Sequence, residues 1–292
     1  NRFINGIMAR SLQAQVSRGT LPGTHEILDG ILANAVEVNV PLTAQRFLRQ
    51  LRAAMPDLPV EFVPVGQPMR DEHGGTGHDI GGRFLAAGML QVQVSLDSKG
   101  LPIWTPGRMQ TLLHEMYHAA TVYELNRSQD SALIHEITQL RAEIVKKAQE
   151  KMGRDTVNDI IMYHRGELSA APEHLEEFSP YLYALTNNFE LVAEGPTSPY
   201  FQQFLRSLDQ TPTKSWYRST WNAMVRMASR LLGFKNPADN RLLNDLLLLV
   251  QRTMAAQRGR QQRIQAARDK AVSEIQAVLK VPPEKIIPLV DS

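Results

Sequence analysis

The sequence predicts an α+β fold that is mostly helical, with a small mixed sheet beside one long helix. Through most of the 292 residues, apolar side chains recur at steps of three and four, which is the spacing of one helix face. Two short stretches alternate instead with a period of two, as half-buried strands do. Both stretches precede the long helix at about 106–125, so the sheet is expected to pack beside that helix.

The first elements are predicted to be helices that lead into the sheet. Residues 1–57 carry apolar side chains at helical spacing and form an N-terminal helical segment. Val60–Val65 alternates like a strand, the glycine-rich residues 66–82 indicate a surface loop, and 83–87 is a short strand. Leu90–Leu96 alternates most regularly and is the clearest strand of the chain.

After the sheet, the predicted elements are helices to the end of the chain. Helices are expected at 106–125, 130–153, 187–208, 215–233 and 238–256, with a less regular stretch at 154–180. The last part is rich in Arg, Gln, Ala and Lys and predicts a solvated helix. The chain is therefore divided into segments 1–57, 58–210, 211–256 and a charged helical linker or tail at 257–292.

The composition excludes several kinds of site. The chain has no cysteine, which excludes disulfides, a zinc site built on thiolates and a Cys nucleophile. The net charge is +2 and there is no basic run, which argues against a dedicated nucleic-acid surface. Nucleic-acid binding through Arg258, Arg260, Arg263 and Arg268 stays open as a lesser alternative.

Neither a membrane span nor a signal peptide is predicted. The run Leu242–Val250 is apolar but too short for a bilayer, and Asn244 and Asp245 interrupt it. The chain begins at Asn1 with no secretory signal pattern, so we expect a segment of a larger parent protein.

The most specific motif is the pentapeptide at 114–118, which reads H-E-M-Y-H. On a helix, His114 and His118 share one face, where two imidazoles can hold one Zn²⁺. Glu115 is then placed to act on a water at that ion. The chain has two other His-Glu dipeptides, at His25 and His135, but neither has a second His at the fourth position. A chance pair of solvated histidines is the alternative, and the apolar residues around the motif favour a buried helix instead.

The third protein ligand of a catalytic zinc has to come from elsewhere in the chain. The extended H-E-x-x-H-x-x-G-x-x-H pattern is absent, because Thr121 and Glu124 stand at its Gly and His positions. The competing carboxylates are Glu136, Glu143, Glu150, Glu173, Glu176, Glu177, Glu190 and Glu194. Glu190 and Glu194 differ from the others because they lie one helical turn apart among apolar residues, where a carboxylate is costly unless it pairs or binds metal. The alternative is a pair of glutamates that caps its helix locally.

The segment from Tyr183 to Glu194, YALTNNFELVAE, resembles the second zinc segment of the anthrax lethal factor family of metallopeptidases. In that family a Tyr stands seven residues before the glutamate ligand and a second Glu follows four residues after it. Tyr183, Glu190 and Glu194 have this spacing. The resemblance covers at most residues 82–205, and the gap from the H-E-x-x-H motif to Glu190 is longer than in lethal factor.

A related resemblance is to zincin domains in the large multi-domain proteins of phages and mobile elements. In those proteins a segment similar to Phe189–Gly195 is often followed by one similar to Ser198–Gln202. The stretch from Trp221 to Leu247 resembles them more weakly. The resemblance implies that 58–210 is a zincin-like catalytic domain and that 211–256 is a C-terminal helical subdomain.

The resemblance also implies a role for each site residue. His114, His118 and Glu190 would bind Zn²⁺, and Glu115 would be the general base. Tyr183 would face the oxyanion of the tetrahedral intermediate, and Glu194 would accept a proton from a ligating imidazole. In zincins an edge strand beside the metal pairs with an extended substrate. The residues implied for that strand are Leu90, Gln91, Val92, Gln93 and Val94.

The function implied is a zinc-dependent endopeptidase within a larger phage or mobile-element protein. Its partners would be a peptide or protein substrate and the other domains of the parent protein. The resemblance is compatible with a location in a virion or with delivery into a host cytoplasm. The alternative from a different class is a structural or interaction module of a virion or injected effector, with a zincin fold and little activity.

Overall fold

The computed structural model describes residues 21–33, 42–67, 69–70, 76–77, 82–85, 88–96, 98, 102–103, 106–127, 132–208 and 241–279. Within these ranges the fold is α+β and mostly helical, as the sequence predicts. The strands are β1 (Val60–Pro64), β2 (Met69–Arg70), β3 (Thr76–Gly77), β4 (Gly82–Leu85), β5 (Met89–Leu96) and β6 (Pro102–Ile103). The helices before the sheet are α1 (Thr24–Ala33) and α2 (Leu42–Ala54).

The helices after the sheet carry most of the described chain. They are α3 (Pro106–Arg127), α4 (Ala132–Met152), α5 (Arg154–His164), α6 (Leu175–Leu182), a 3₁₀ turn (Tyr183–Leu185), α7 (Asn188–Thr197), α8 (Pro199–Leu208) and α9 (Arg241–Leu279). No helix in these ranges is both long and apolar enough to cross a bilayer.

β5 is the central strand of a mixed four-stranded sheet. It pairs in parallel with β1, where Val60 lies opposite Leu90, and antiparallel with β4, where Phe84 lies opposite the same residue. β6 pairs antiparallel with the last residues of β5. The predicted loop at 66–82 contains two short strands, since β2 and β3 pair antiparallel there.

The prediction that β5 offers a free edge to a substrate is wrong for Leu90, Gln91 and Val92. These three residues have partners in β1 on one side and in β4 on the other, so their backbone groups are already paired. Gln93 and Val94 also pair with β1. Among the strands that the structure describes, β4 lies at the edge next to β5.

The glutamines of β5 are buried, although alternation with apolar residues predicts that they face solvent. Gln91 and Gln93 are only 2% and 9% exposed. Their amide N–H groups donate to the Glu61 carboxylate at 2.6 Å and to the Gln67 carbonyl at 3.4 Å. β5 is therefore covered on both faces, and the polar face is held by hydrogen bonds rather than by water.

Several predicted helix boundaries differ from the observed ones. The predicted helix at 187–208 is two helices, because Ser198 has an extended backbone (φ −93°, ψ 109°) and Pro199 begins α8. A proline disfavours the helical conformation of the residue before it, which explains the break at Ser198. The irregular stretch at 154–180 contains α5 and α6. The predicted helix at 215–233 lies outside the described residues.

One hydrophobic core joins all the long elements. It includes Leu28 and Leu51 from the N-terminal helices, Val92 from the sheet, Met116 from α3 and Leu246 from α9. The predicted boundary at 256/257 falls inside the continuous helix α9. The first half of that helix is packed in the core. In contrast, the described side chains beyond Gln257 are not buried, which agrees with the predicted solvated helix.

Candidate metal centre

The H-E-x-x-H helix is buried on the side away from the two histidines. Leu112, Met116, Ala119 and Ala120 are 0% exposed, and they pack α3 into the core. This burial fixes the rotation of the helix about its axis. His114 and His118 therefore share the other face, where each side chain keeps 13% of its surface exposed.

A capped helix start positions Glu190. Asn187 has an extended backbone, and its side chain accepts a hydrogen bond from the Glu190 backbone N–H at 2.9 Å. This is a helix N-cap, and it places Glu190 in the first turn of α7. Because α7 packs along α3, that first turn lies beside the two histidines.

The structure brings His114, His118 and Glu190 together. The Oε2 atom of Glu190 lies 3.3 Å from Nε2 of His114 and 3.5 Å from Nε2 of His118. The two imidazole nitrogens are 2.9 Å apart. In a tetrahedral zinc site with Zn–N distances of about 2.0–2.1 Å, ligand atoms lie about 3.3–3.4 Å from each other. The three observed separations are close to this value, so the group could hold a metal ion.

The polar atoms of the site also fit a cation. Oε2 of Glu190 is buried and forms no hydrogen bond of good geometry. Two imidazole nitrogens lie within 3.5 Å of it, and they also face each other. Three atoms with lone pairs thus converge on one place, and one bound cation would satisfy all of them.

Glu194 lies on the other side of the His114 ring. Its Oε1 atom is 3.4 Å from Nδ1 of His114, while Nε2 of the same ring faces Glu190. A carboxylate that accepts a hydrogen bond from one ring nitrogen fixes the tautomer and makes the opposite nitrogen available as a ligand. At 3.4 Å no hydrogen bond joins Nδ1 to Glu194, so the role that the resemblance implies for Glu194 stays a prediction.

The site has more carboxylates than imidazoles. Burial alone would raise the pKa of Glu190, but the imidazoles of His114 and His118 lower it to about 2. Burial alone would lower the pKa of His114, but Glu190, Glu194 and Glu115 raise it above its ordinary value. Three carboxylates therefore surround two imidazoles, an excess of negative charge that favours a divalent cation.

Glu115 is buried beside the edge strand. It is 7% exposed, and it lies under Gly82 of β4. A Cβ atom built at Gly82 would lie 2.5 Å from Cγ2 of Thr111 and 2.9 Å from Cγ of Glu115. Only a glycine leaves room for this approach between β4 and α3. Gly82 could not be recognised from the sequence as part of the site, because a lone glycine at the end of a glycine-rich stretch gives no such signal.

Tyr183 lies at the rim of the site and is 38% exposed. Burial, the carboxylates of Glu190, Glu194 and Glu115, and a hydrogen bond with Glu190 raise the pKa of its hydroxyl. Its ring also packs edge-on against His164, with the ring centroids 5.2 Å apart. His164 was missed by sequence reasoning because it comes from α5, whose only link to Tyr183 is spatial.

His164 is held in turn by a second contact. Its Nε2 atom lies 2.7 Å from the Ser179 hydroxyl of α6. Burial lowers the pKa of His164, which favours the neutral ring. The neutral ring therefore supports one side of Tyr183, and we interpret His164 as a positioning residue.

Most of the competing carboxylates are engaged elsewhere. Glu136 pairs with Arg252 of α9, and Glu143 pairs with Arg241 of the same helix. Glu173 and Glu177 contact His174 on the surface. Within the described residues, the group that could hold a metal is His114, His118 and Glu190.

Comparison with protein-family models, with curated proteins and with solved structures found no match. The features of this centre that favour a metal ion are three converging donor atoms, a buried glutamate next to them and a second carboxylate behind the His114 ring.

Proposed function

We propose that this chain is a zinc-dependent endopeptidase of the H-E-x-x-H type with a glutamate as third ligand. The observation that carries the proposal is the convergence of His114, His118 and Glu190, with Glu115 buried next to them. Two imidazoles with one carboxylate form a known ligand set of catalytic zinc sites, which leave one coordination position open. When bound, a zinc ion would supply a Lewis acid and lower the pKa of a water to about 7.

Each site residue then has a role in peptide hydrolysis. Glu115 would take a proton from the attacking water and later give it to the leaving amine. The Tyr183 hydroxyl is kept protonated by its raised pKa, so it can donate a hydrogen bond to the oxyanion of the tetrahedral intermediate. Glu194 would orient the His114 ring through Nδ1.

The edge strand β4 is the better candidate for binding an extended peptide. β5 is paired on both sides along its first half, whereas β4 lies at the edge. Gly82 of β4 approaches Glu115 closely, so a peptide along this strand would pass near the general base. Backbone hydrogen bonds to an edge strand hold a substrate without regard to its side chains.

The proposal is tested by metal content and by one conservative variant. Purified protein should contain about one zinc per chain by mass spectrometry. Glu115→Gln should keep the metal, because Glu115 is not a ligand, and should abolish cleavage of a peptide library. A native protein without zinc or another divalent metal would refute the proposal, and so would cleavage by Glu115→Gln at the wild-type rate.

The alternative function is an interaction module of a larger virion or effector protein. One observation favours it: in α9 no described side chain from 258 to 275 is buried, and at 1.5 Å per residue this stretch is about 27 Å long. Such a helix is available to another domain or protein. The peptide assay separates the two functions, because an interaction module would show no cleavage that depends on Glu115.

A further inference from the structure

A cleft of about 320 Å³ lies between α4 and α5, and it contains none of the metal-centre residues. Its polar lining consists of Thr138, Arg141, Lys146, Gln149, Asn158 and Arg165. Its volume falls at the lower end of the range of about 300–1,000 Å³ that is typical of small-ligand pockets. The cleft is therefore large enough for a small molecule.

The charge of this cleft is positive and largely uncompensated. Its lining has three cationic side chains, Arg141, Lys146 and Arg165, and no acidic one. Both guanidinium groups donate to the same atom, the Thr186 carbonyl oxygen, at 3.0 Å from Nη1 of Arg141 and 2.7 Å from Nε of Arg165. This convergence holds two like charges close together, which is costly without an anion nearby.

Partners that could neutralise these cations are scarce. Within the described residues, neither Arg141 nor Lys146 forms an ion pair, and Arg165 has only Glu167 at 3.9 Å. Burial, and then the neighbouring Arg165, lower the pKa of the Arg141 guanidinium. The positive charges of Arg141 and Lys146, and in part that of Arg165, are therefore available to a ligand.

Hydrogen-bond donors also face the cleft. Arg141 uses its Nη1 for the carbonyls of Leu185 and Thr186, so its other N–H groups remain for a ligand. The Asn158 side chain accepts from Gln149 at 2.8 Å, which leaves its own amide N–H groups as donors. Thr138 accepts from Asn188 at 2.9 Å, so its hydroxyl proton can be donated.

We propose that this cleft binds a phosphate monoester. The dianionic phosphate would lie between Arg141, Lys146 and Arg165, since guanidinium groups match phosphate oxygens in shape and charge. The remaining wall contains Val145, Ile161 and Leu185, which would contact the organic part of the ligand. This binding needs no metal, and it is independent of the proposed peptidase function.

The test uses phenyl phosphate as the probe, measured by isothermal titration calorimetry on the whole chain at constant ionic strength. Lys146 is exposed and has no partner in the described structure, so Lys146→Gln should fold normally. That variant should weaken binding by about tenfold, the typical effect of losing one charge-assisted hydrogen bond. The matched control is Lys270→Gln on α9, which removes the same charge far along an exposed helix and should bind like wild type.

A second variant tests the shape of the contact. Arg141→Lys keeps the charge but loses the planar fork, so it should also weaken phenyl phosphate binding. Circular dichroism would verify that both variants keep the wild-type helix content. Inorganic phosphate should bind more weakly than phenyl phosphate, because it lacks the apolar part, and acetate should bind more weakly than both.

Several results would overturn the proposal. One is that the wild type gives no heat of binding with phenyl phosphate. Another is that Lys146→Gln and Lys270→Gln lose the same affinity for phenyl phosphate. A third is that acetate binds as tightly as phenyl phosphate. Inorganic phosphate that binds as tightly as phenyl phosphate would overturn the assignment to a monoester. Phosphate can also bind a zinc ion directly. Binding that disappears with a chelator but is unchanged in Lys146→Gln would place the ligand at the metal centre and refute the cleft.

Discussion

At the scale of single residues, the candidate metal centre is held by a chain of contacts that extends outwards from the proposed ligands. His114 faces Glu190 with one ring nitrogen and Glu194 with the other. Tyr183 is supported by His164, and His164 by Ser179. Groups behind the ligands determine tautomer and orientation, so their loss should be measurable without removal of a ligand.

Substitution of Glu194 should weaken metal binding without abolishing it. Glu194→Ala removes the carboxylate behind the His114 ring, and the zinc dissociation constant should rise about 10–100-fold. Glu190→Ala removes a ligand and should have a larger effect. Glu274→Ala, which changes an exposed glutamate of α9, is the matched control and should leave the constant unchanged. Competition with a fluorescent zinc chelator measures the zinc dissociation constant of all three variants. Equal zinc affinity for Glu194→Ala and wild type would contradict a role of the Glu194 contact with His114.

The His164 ring should make the stability of the metal-free protein depend on pH. Its folded pKa lies below the unfolded value of about 6.5, so its stabilising contribution is present above pH 6.5. That contribution is lost as the pH falls through the lower folded pKa, because the buried ring must then take up a proton. Urea unfolding in the presence of a chelator should therefore show a larger loss of stability between pH 7.5 and 5 for wild type than for His164→Gln. An equal loss in both would show that His164 does not contribute.

At the scale of elements, the site depends on how closely two of them approach. β4 crosses α3 at Gly82, with no room for a side chain above Thr111 and Glu115.

The helix pattern predicted α3 well, and the alternation predicted β5, because both signals lie within one element. The approach of β4 to α3 could not be predicted, since it depends on how two separate elements pack against each other. The pairing of β5 on both sides was missed for the same reason.

A methyl group at Gly82 should disturb Glu115 more than the metal ligands. Gly82→Ala forces Thr111 or the edge strand to move by several tenths of an ångström, because the nearest contact would be 2.5 Å. A shift of this kind would misplace the proposed general base, and peptide cleavage should fall by about 10–100-fold while zinc content stays the same. The control is Gly259→Ala on α9, where the new methyl meets only Arg263 at 3.7 Å. Loss of zinc in Gly82→Ala would show that the substitution acts on the ligands instead.

At the scale of the whole molecule, the first half of α9 supports the metal centre from behind. A Cβ atom at Gly195 of α7 would lie 2.6 Å from Cδ2 of Leu246, so these two helices are in close contact. Leu246 is fully buried, whereas Ile264 on the same helix is 55% exposed. The predicted C-terminal subdomain at 211–256 thus contributes, through its described part, to the core that carries α7.

The two halves of α9 should respond differently to the same kind of truncation. Leu246→Ala should lower the free energy of unfolding by about 2–5 kcal/mol, because it leaves a cavity behind α7. Ile264→Ala should change it by less than about 0.5 kcal/mol, since that side chain is mostly in solvent. Chemical denaturation monitored by circular dichroism compares the two. A similar cost for both would show that the second half of α9 is also packed.

The sequence alone determined the parts of this protein that are encoded locally. The spacing of His114 and His118 places them on one helix face, and the apolar context of Glu190 and Glu194 distinguishes them from other carboxylates. Tertiary structure alone decided which groups meet across the chain: the 3.3 Å approach of Glu190 to His114, the contact of Gly82 with Glu115, and the convergence of Arg141 and Arg165 on one carbonyl. The physical reason is that helix periodicity acts over a few residues, whereas the position of one helix against another is set by the burial of a shared core.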